Sequence, residues 1–317
     1  MRDLKFETLQ KLIFSYYGKC KYEKALDIAR IAAESFPEKL SRTSYWRACL
    51  YSLLGRQREA IGILKDATDK GIWWSPQAML MDEDLDSIKD SRDFKEIVDK
   101  CRTYEDKAKV SCKPELLVIP PAAYNARHKY PLLFSIHWRN GNAEEFARLW
   151  RYNSVFSNFL LAFPQSSQIS GVNEYCWDND VAAERDIQKS FEKVLSNYSI
   201  KEKGIIVAGA SQGGKLALDM ALKYNSANIK GFVIFIPALR EFESYIPYLQ
   251  AAVENNIRGC IIAGDQDYYF SNVLHLSNCF KKYNLACKLI TVAGMGHFFP
   301  EDYEKKIKIA VDYIIRN

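Results

Sequence analysis

Two patterns of apolar positions divide the chain. Up to about residue 107, apolar residues recur three and four apart: Leu9, Leu12, Ile13, Tyr16 and Tyr17, then Ala25, Ile28, Ala29, Ala32, Ala33 and Phe36. That spacing marks one face of a helix. Prolines there are confined to Pro37 and Pro76, so the segment predicts several helices in antiparallel pairs. From about residue 108 the pattern becomes seven short, mostly unbroken apolar runs: "ELLVIPP", "PLLFSIHW", "NFLLAFPQ", "GIIVAGAS", "GFVIFIP", "GCIIAGDQD" and "CKLITVAG". Unbroken runs predict strands covered on both faces, as in parallel sheets. Helical patterns over 143–158, 180–197, 213–225, 271–283 and 301–315 lie between several of them. The alternation predicts a doubly wound, mostly parallel α/β domain over 108–317, preceded by an all-α domain over 1–107. Ligands of such sheets sit at the carboxyl ends of the strands.

The helical half contains an internal echo. Ala25 and Ala60 are 35 residues apart, and so are Ala32 and Ala67. Small residues at those places let two helices approach closely, and the interval is that of one helix-turn-helix unit. In this the segment resembles tetratricopeptide repeats over two units, and the stretch from Pro76 to Tyr104 reads as a third, degenerate one. The resemblance implies a surface for a peptide or protein partner. The alternatives are packing against the neighbouring domain and shaping of a substrate cleft.

Composition narrows the classes. Of 317 residues, 48% are apolar and 26% charged, which predicts a soluble globular protein with a substantial core. The net charge of +5 is spread over mixed-sign runs and leaves no nucleic-acid footprint. Lys305, Lys306 and Lys308 read as a solvated helix face. The eight cysteines contain no Cys-x-x-Cys and fit neither a zinc site nor a disulfide framework, so they read as reduced core residues. The first residues show no signal-peptide pattern, and nothing approaches eighteen consecutive apolar residues. The expectation is a cytoplasmic protein without membrane insertion.

The candidate chemistry concentrates at one joint, "KGIIVAGASQGGKLALDM". Gly209-Ala210-Ser211-Gln212-Gly213 fits Gly-x-Ser-x-Gly between a predicted strand and a predicted helix. A serine whose hydroxyl must stand clear of a sheet edge needs a very tight strand-to-helix turn, and flanking glycines let the chain pass close to its neighbours. The helix that follows points free N–H groups at the site. A phosphate-binding loop is the competing reading, but Lys215 lacks the spacing and the following Ser or Thr. A serine nucleophile needs a histidine base held by a carboxylate. Of the four histidines, His128 falls in a polar turn, His275 in a helical pattern and His137 after an early strand. His297 follows the last strand, downstream of the serine, and is the candidate base. Asp265 and Asp267, directly after the penultimate strand, are the candidate acids.

The order serine, acid, histidine, with these loops, resembles the α/β-hydrolase superfamily over roughly residues 110–317. The resemblance implies a Ser211–Asp267–His297 triad, because the family's acid usually stands three residues after the glycine closing that strand, here Gly264. Asp265 is then a turn residue. It also implies an oxyanion hole from the N–H of Gln212 and one in "FSIHWRNGN". There His137 aligns with the family's histidine, while Trp138 replaces its glycine, so the second donor is Trp138 or Arg139. Within the superfamily the layout is nearest to small serine carboxylesterases of the phospholipase/carboxylesterase and dienelactone-hydrolase types.

Around these residues, Trp177, Asp178, Tyr268 and Phe298 are candidate pocket residues, with Tyr269 and Phe299 beside the last two. An aromatic mouth favours an apolar or aromatic substrate group. The expected activity is cleavage of a small to medium ester or thioester, with no metal and no organic cofactor. The alternatives are a serine peptidase of prolyl-oligopeptidase type and a non-catalytic tetratricopeptide adaptor on an inactive hydrolase scaffold.

Overall fold

The computed structural model describes residues 5–224 and 228–315. The first four positions of the expected helical domain and the last residue of the helix expected over 213–225 lie outside the described residues. The chain forms two compact units. One is Met1–Cys112 with Ile169–Asn173, and the other is Lys113–Gln168 with Glu174–Asn317.

The first unit is built on α1 (Phe6–Tyr17), α2 (Tyr22–Ser35), α3 (Leu40–Leu53), α4 (Gln57–Asp69), α5 (Pro76–Met81) and α6 (Arg92–Ser111). Each of α2, α3 and α4 packs on its predecessor. The echoed alanines explain the close packing: Ala25, Ala32, Ala60 and Ala67 are all buried in one apolar cluster with Leu26 and Leu64. Ser75 and Ser91 start α5 and α6, each accepting a backbone N–H from three residues on. A boundary at residue 107 needs correcting, because α6 runs on to Ser111. It stops there because Pro114 excludes the helical conformation from Lys113. The five-residue segment Ile169–Asn173 was not foreseen in this unit. Trp74 bridges to Gly171, and Ser75 donates its N–H to the Ser170 carbonyl.

The second unit carries β1 (Glu115–Ile119), β2 (Tyr130–Ile136), α7 (Ala143–Arg148), β3 (Leu160–Gln165), β5 (Glu174–Cys176) and α8 (Asp180–Asn197), while β4 (Gln168–Gly171) falls, but for Gln168, in the segment of the first unit. It continues with β6 (Ile200–Ala210), α9 (Gln212–Leu222), β7 (Ile229–Phe235), α10 (Leu249–Glu254), β8 (Arg258–Gly264), α11 (Phe270–Lys282), β9 (Ala286–Val292) and α12 (Tyr303–Ile315). The seven predicted strands form one sheet in the order β1-β3-β2-β6-β7-β8-β9. Only β1 runs antiparallel, against β3. The unbroken apolar runs serve two layers at once. Along β6, Ile205 and Val207 enter one core, and Ile206, Ala208 and Ala210 enter the other. Helices α8, α9 and α11 cover the first face, and α7 and α12 cover the second. Each fully buried Leu, Ile or Phe contributes about 1.5–3 kcal/mol on leaving water.

The helix expected over 143–158 ends instead at Arg148. Asn153 then caps a separate turn, Ser154–Phe156, by accepting the Val155 N–H, which lets Trp150, Phe156 and Phe159 all turn inward. Among the described residues, no helix is long and apolar enough to cross a membrane.

The topology fixes where a site belongs. β2 and β6 are neighbours, but the chain leaves β2 towards β3 on one side and β6 towards β7 on the other. Such a switch point opens a crevice beyond the strand ends. The residues facing it are His137 to Asn140 and Ser211.

Candidate active site

Ser211 sits between β6 and α9 with φ 53° and ψ −119°, a left-handed conformation that a side chain adopts only under strain. Two glycines make the turn possible. A Cβ on Gly209 would lie 2.2 Å from the Gly213 carbonyl oxygen, and one on Gly213 would lie 2.2 Å from that of Ile136. The second contact presses the start of α9 against the end of β2. Ser211 is tied into the sheet through its N–H to the Phe235 carbonyl.

The structure brings Ser211, His297 and Asp267 into one hydrogen-bonded line. His297 Nε2 stands 2.8 Å from Ser211 Oγ, and its Nδ1 stands 2.8 Å from Asp267 Oδ2. An ionised carboxylate only accepts, so Nδ1 carries the hydrogen and Nε2 is free to accept from the hydroxyl. Asp267 is buried, and its other oxygen accepts the Tyr269 N–H at 2.9 Å. Asp265 holds the neighbouring loop: its Oδ1 accepts the Gly294 N–H at 2.8 Å, while Gln266 N–H bonds the Met295 carbonyl. Gly264 has room for no side chain, since its Cβ would meet that same carbonyl at 1.8 Å. The turns after β8 and β9 are thus knitted together before His297 is reached.

His137 is fully buried. Its Nδ1 donates to the Trp138 carbonyl at 2.8 Å, and its Nε2 faces the Gln165 amide nitrogen at 3.2 Å. Burial pushes its pKa down to about 4, so the ring is neutral and braces the loop. The Trp138 ring packs edge-on against Phe146, near Phe299, and explains why Gly141 follows: a Cβ there would lie 2.8 Å from the indole nitrogen. Phe299 in turn stacks on Phe235, 4.6 Å between centroids.

The remaining expected residues divide. Tyr268 is 73% exposed and its ring lies 4.9 Å from that of His297. Phe298 is half-buried beside Gly296. Trp177 is only 3% exposed, with its indole N–H on the His137 carbonyl, so it supports the site from beneath. Asp178 receives Arg139 through two bonds, 3.1 Å from Nε and 3.0 Å from Nη2, and Gln212 Nε2 at 2.7 Å. Burial alone raises the Asp178 pKa, but the bonds from Arg139 and Gln212 outweigh it and hold the carboxyl below its usual range. Gln212 Oε1 also accepts the Trp177 N–H at 3.1 Å. This network escapes sequence reasoning, since its partners lie 34 to 39 positions apart with no motif linking them.

A cavity of about 400 Å³ opens elsewhere, at the amino ends of β7, β8 and β9, where Lys203, Lys230 and Arg258 line it. It contains none of the residues above. Among the described residues, one group has metal-ligand spacing: Cys49, Asp82 and Asp84 in the helical unit. Its carboxylates accept the hydroxyls of Tyr45 and Tyr17 at 2.9 and 2.8 Å.

The mostly parallel sheet, its two helical layers and the serine turn define the α/β-hydrolase fold. Residues 6–109 match the model of a family described as A/B hydrolase-like, N-terminal domain. Among solved structures, an uncharacterized protein from Bacillus cereus ATCC 10987 is similar over 98% of this chain and 99% of its own, with 23% identity and a TM-score of 0.56. Esterase PE8 is similar over 64% of this chain and 100% of its own, with 16% identity and a TM-score of 0.53. No curated protein matches the chain in sequence.

Proposed function

We propose that the protein is a serine hydrolase that cleaves carboxylic esters or thioesters of small to medium substrates through an acyl-enzyme. Ser211 Oγ attacks the carbonyl carbon while His297 Nε2 takes its proton. Asp267 keeps the imidazole in the required tautomer and balances the charge it acquires. The carbonyl oxygen becomes an oxyanion held by the Gln212 N–H, unpaired at the first turn of α9, and by the N–H of Trp138 or Arg139. The tetrahedral intermediate collapses, and His297 returns the proton to the departing alcohol or thiol. Water activated by the same ring then attacks the acyl group, and the acid is released. The scheme uses neither metal nor organic cofactor.

One observation carries this reading: two 2.8 Å contacts align hydroxyl, imidazole and carboxylate on a serine held at φ 53°. A helix start with no nucleophile to present has no need of that conformation. The ester class is favoured by the aromatic surround, with Tyr268 and Phe298 offered to an apolar acyl or alcohol group, and PE8, which shares the fold, is an esterase. The helical unit supplies none of the reacting groups. Its proposed role is a binding surface for a peptide or protein.

The test is labelling by a fluorophosphonate probe together with hydrolysis of p-nitrophenyl butyrate and a thioester analogue. The expected result is stoichiometric labelling and turnover in the native chain, both lost in Ser211→Ala. Equal labelling of the two proteins, or none in either, overturns the proposal.

A further inference from the structure

We propose that Asp178 is the positioning residue of the oxyanion hole, locking the Arg139 loop onto the start of the nucleophile helix. The inference rests on the reading of Ser211 as nucleophile. Three segments meet at this one carboxylate. Arg139 belongs to the loop after β2, Asp178 follows β5, and Gln212 opens α9. Oδ1 accepts from both Arg139 Nε and Gln212 Nε2, and Oδ2 accepts from Arg139 Nη2. Gln212 closes a second link through its Oε1 to the Trp177 N–H, and Trp177 Nε1 reaches the His137 carbonyl. The same side chains therefore belong to, or adjoin, the residues whose backbone N–H groups receive the oxyanion.

The two donors need this help unequally. Gln212 N–H is directed by α9 itself. The donor at 138 or 139 lies in an irregular turn, closed by the Gly141 N–H on the Trp138 carbonyl. A guanidinium gripped by both arms has few orientations left, so the fork of Arg139 fixes the peptide behind it. An oxyanion donor acts only where it points at the developing charge, and a small misplacement is costly in rate.

The clamp also bears on charge. Asp178 occupies the place that Arg139 would otherwise offer to a substrate carboxylate. Freed of Asp178, Arg139 becomes a receptor for an acid-bearing ester. That gain separates positioning from mere support of the fold, which predicts loss on every substrate.

The experiment compares the native chain with Asp178→Ala, Asp178→Asn and Ser211→Ala on p-nitrophenyl butyrate and p-nitrophenyl hemisuccinate. For the neutral ester, Asp178→Ala is expected to lower kcat roughly 10- to 100-fold with KM within about twofold. Asp178→Asn, which keeps an acceptor for Gln212, is expected to fall less. The ratio of kcat/KM for hemisuccinate over butyrate rises in both. If Asp178→Ala fails to fold, Asp178→Asn decides. Turnover by Asp178→Asn indistinguishable from native, or an unchanged substrate ratio, overturns the clamp while leaving the serine hydrolase intact. A native chain as inert as Ser211→Ala overturns both.

Discussion

His297 Nε2 and Ser211 Oγ stand 2.8 Å apart although 86 positions separate them along the chain. The serine is held there by a turn that costs roughly 1–3 kcal/mol of backbone strain. Ser211→Ala and Ser211→Gly are therefore expected to be equally inactive but not equally stable. Glycine accepts a positive φ without penalty, so Ser211→Gly melts above Ser211→Ala by a few degrees, about 1 kcal/mol after its greater unfolded-state entropy is offset. Calorimetry of the two variants checks this. Coincident melting temperatures would mean that the turn is not strained.

Asp267 and Asp265 are two positions apart and should respond very differently. Asp267→Asn replaces the carboxylate by an uncharged amide whose NH2 can donate to His297 Nδ1 and favour the wrong tautomer, and kcat is expected to fall about 10³- to 10⁴-fold. Asp265→Ala only releases the Gly294 N–H, loosening the loop that carries His297. A loss of roughly 3- to 10-fold is expected, with KM little changed. Steady-state kinetics on one ester ranks the two, and the reverse order would exchange their roles.

Gly213→Ala is expected to damage the fold as well as the activity. The new methyl would stand 2.2 Å from the Ile136 carbonyl oxygen and 2.4 Å from that of His137, both backbone atoms of the β2 end. The expected cost is above about 3 kcal/mol, or a fall in melting temperature of roughly 10 °C. A native-like melt would show that α9 can retreat from β2.

His137 makes stability depend on pH. Its folded-state pKa of about 4 lies below the ordinary value of 6.5. Between those values the unfolded chain binds a proton that the folded chain does not. Stability is therefore highest above pH 6.5 and declines as pH falls towards 4, by on the order of 3 kcal/mol in all. Urea unfolding at pH 7 and pH 4.5 measures the decline, and a His137→Gln variant is expected to lose that part of it. An equal decline in both proteins would assign the proton to another group.

The strands and the three aligned side chains were legible because each obeys a local rule. Buried parallel strands need unbroken apolar runs, and a serine turn needs glycine on both sides. The order of Ser211, Asp267 and His297 along the chain did the rest. What stayed hidden is non-local. The pairing of Arg139 with Asp178 joins loops that only the folded sheet brings together. The short strands β4 and β5 leave no periodicity to read, at four and three residues. Asn153 caps the turn that follows α7, a role visible only once the inward turn of Trp150 is known.

The helical unit includes Ile169–Asn173, residues made well after α6. During synthesis α1 to α6 emerge first, yet the Trp74 bridge and the Ser75 N–H find their partners only when the ribosome has extended the chain past Asn173. A nascent chain released at Cys112 would thus bear an incomplete bundle, and a protease added during translation should cut around Trp74 and Ser75 more readily until β4 has been made.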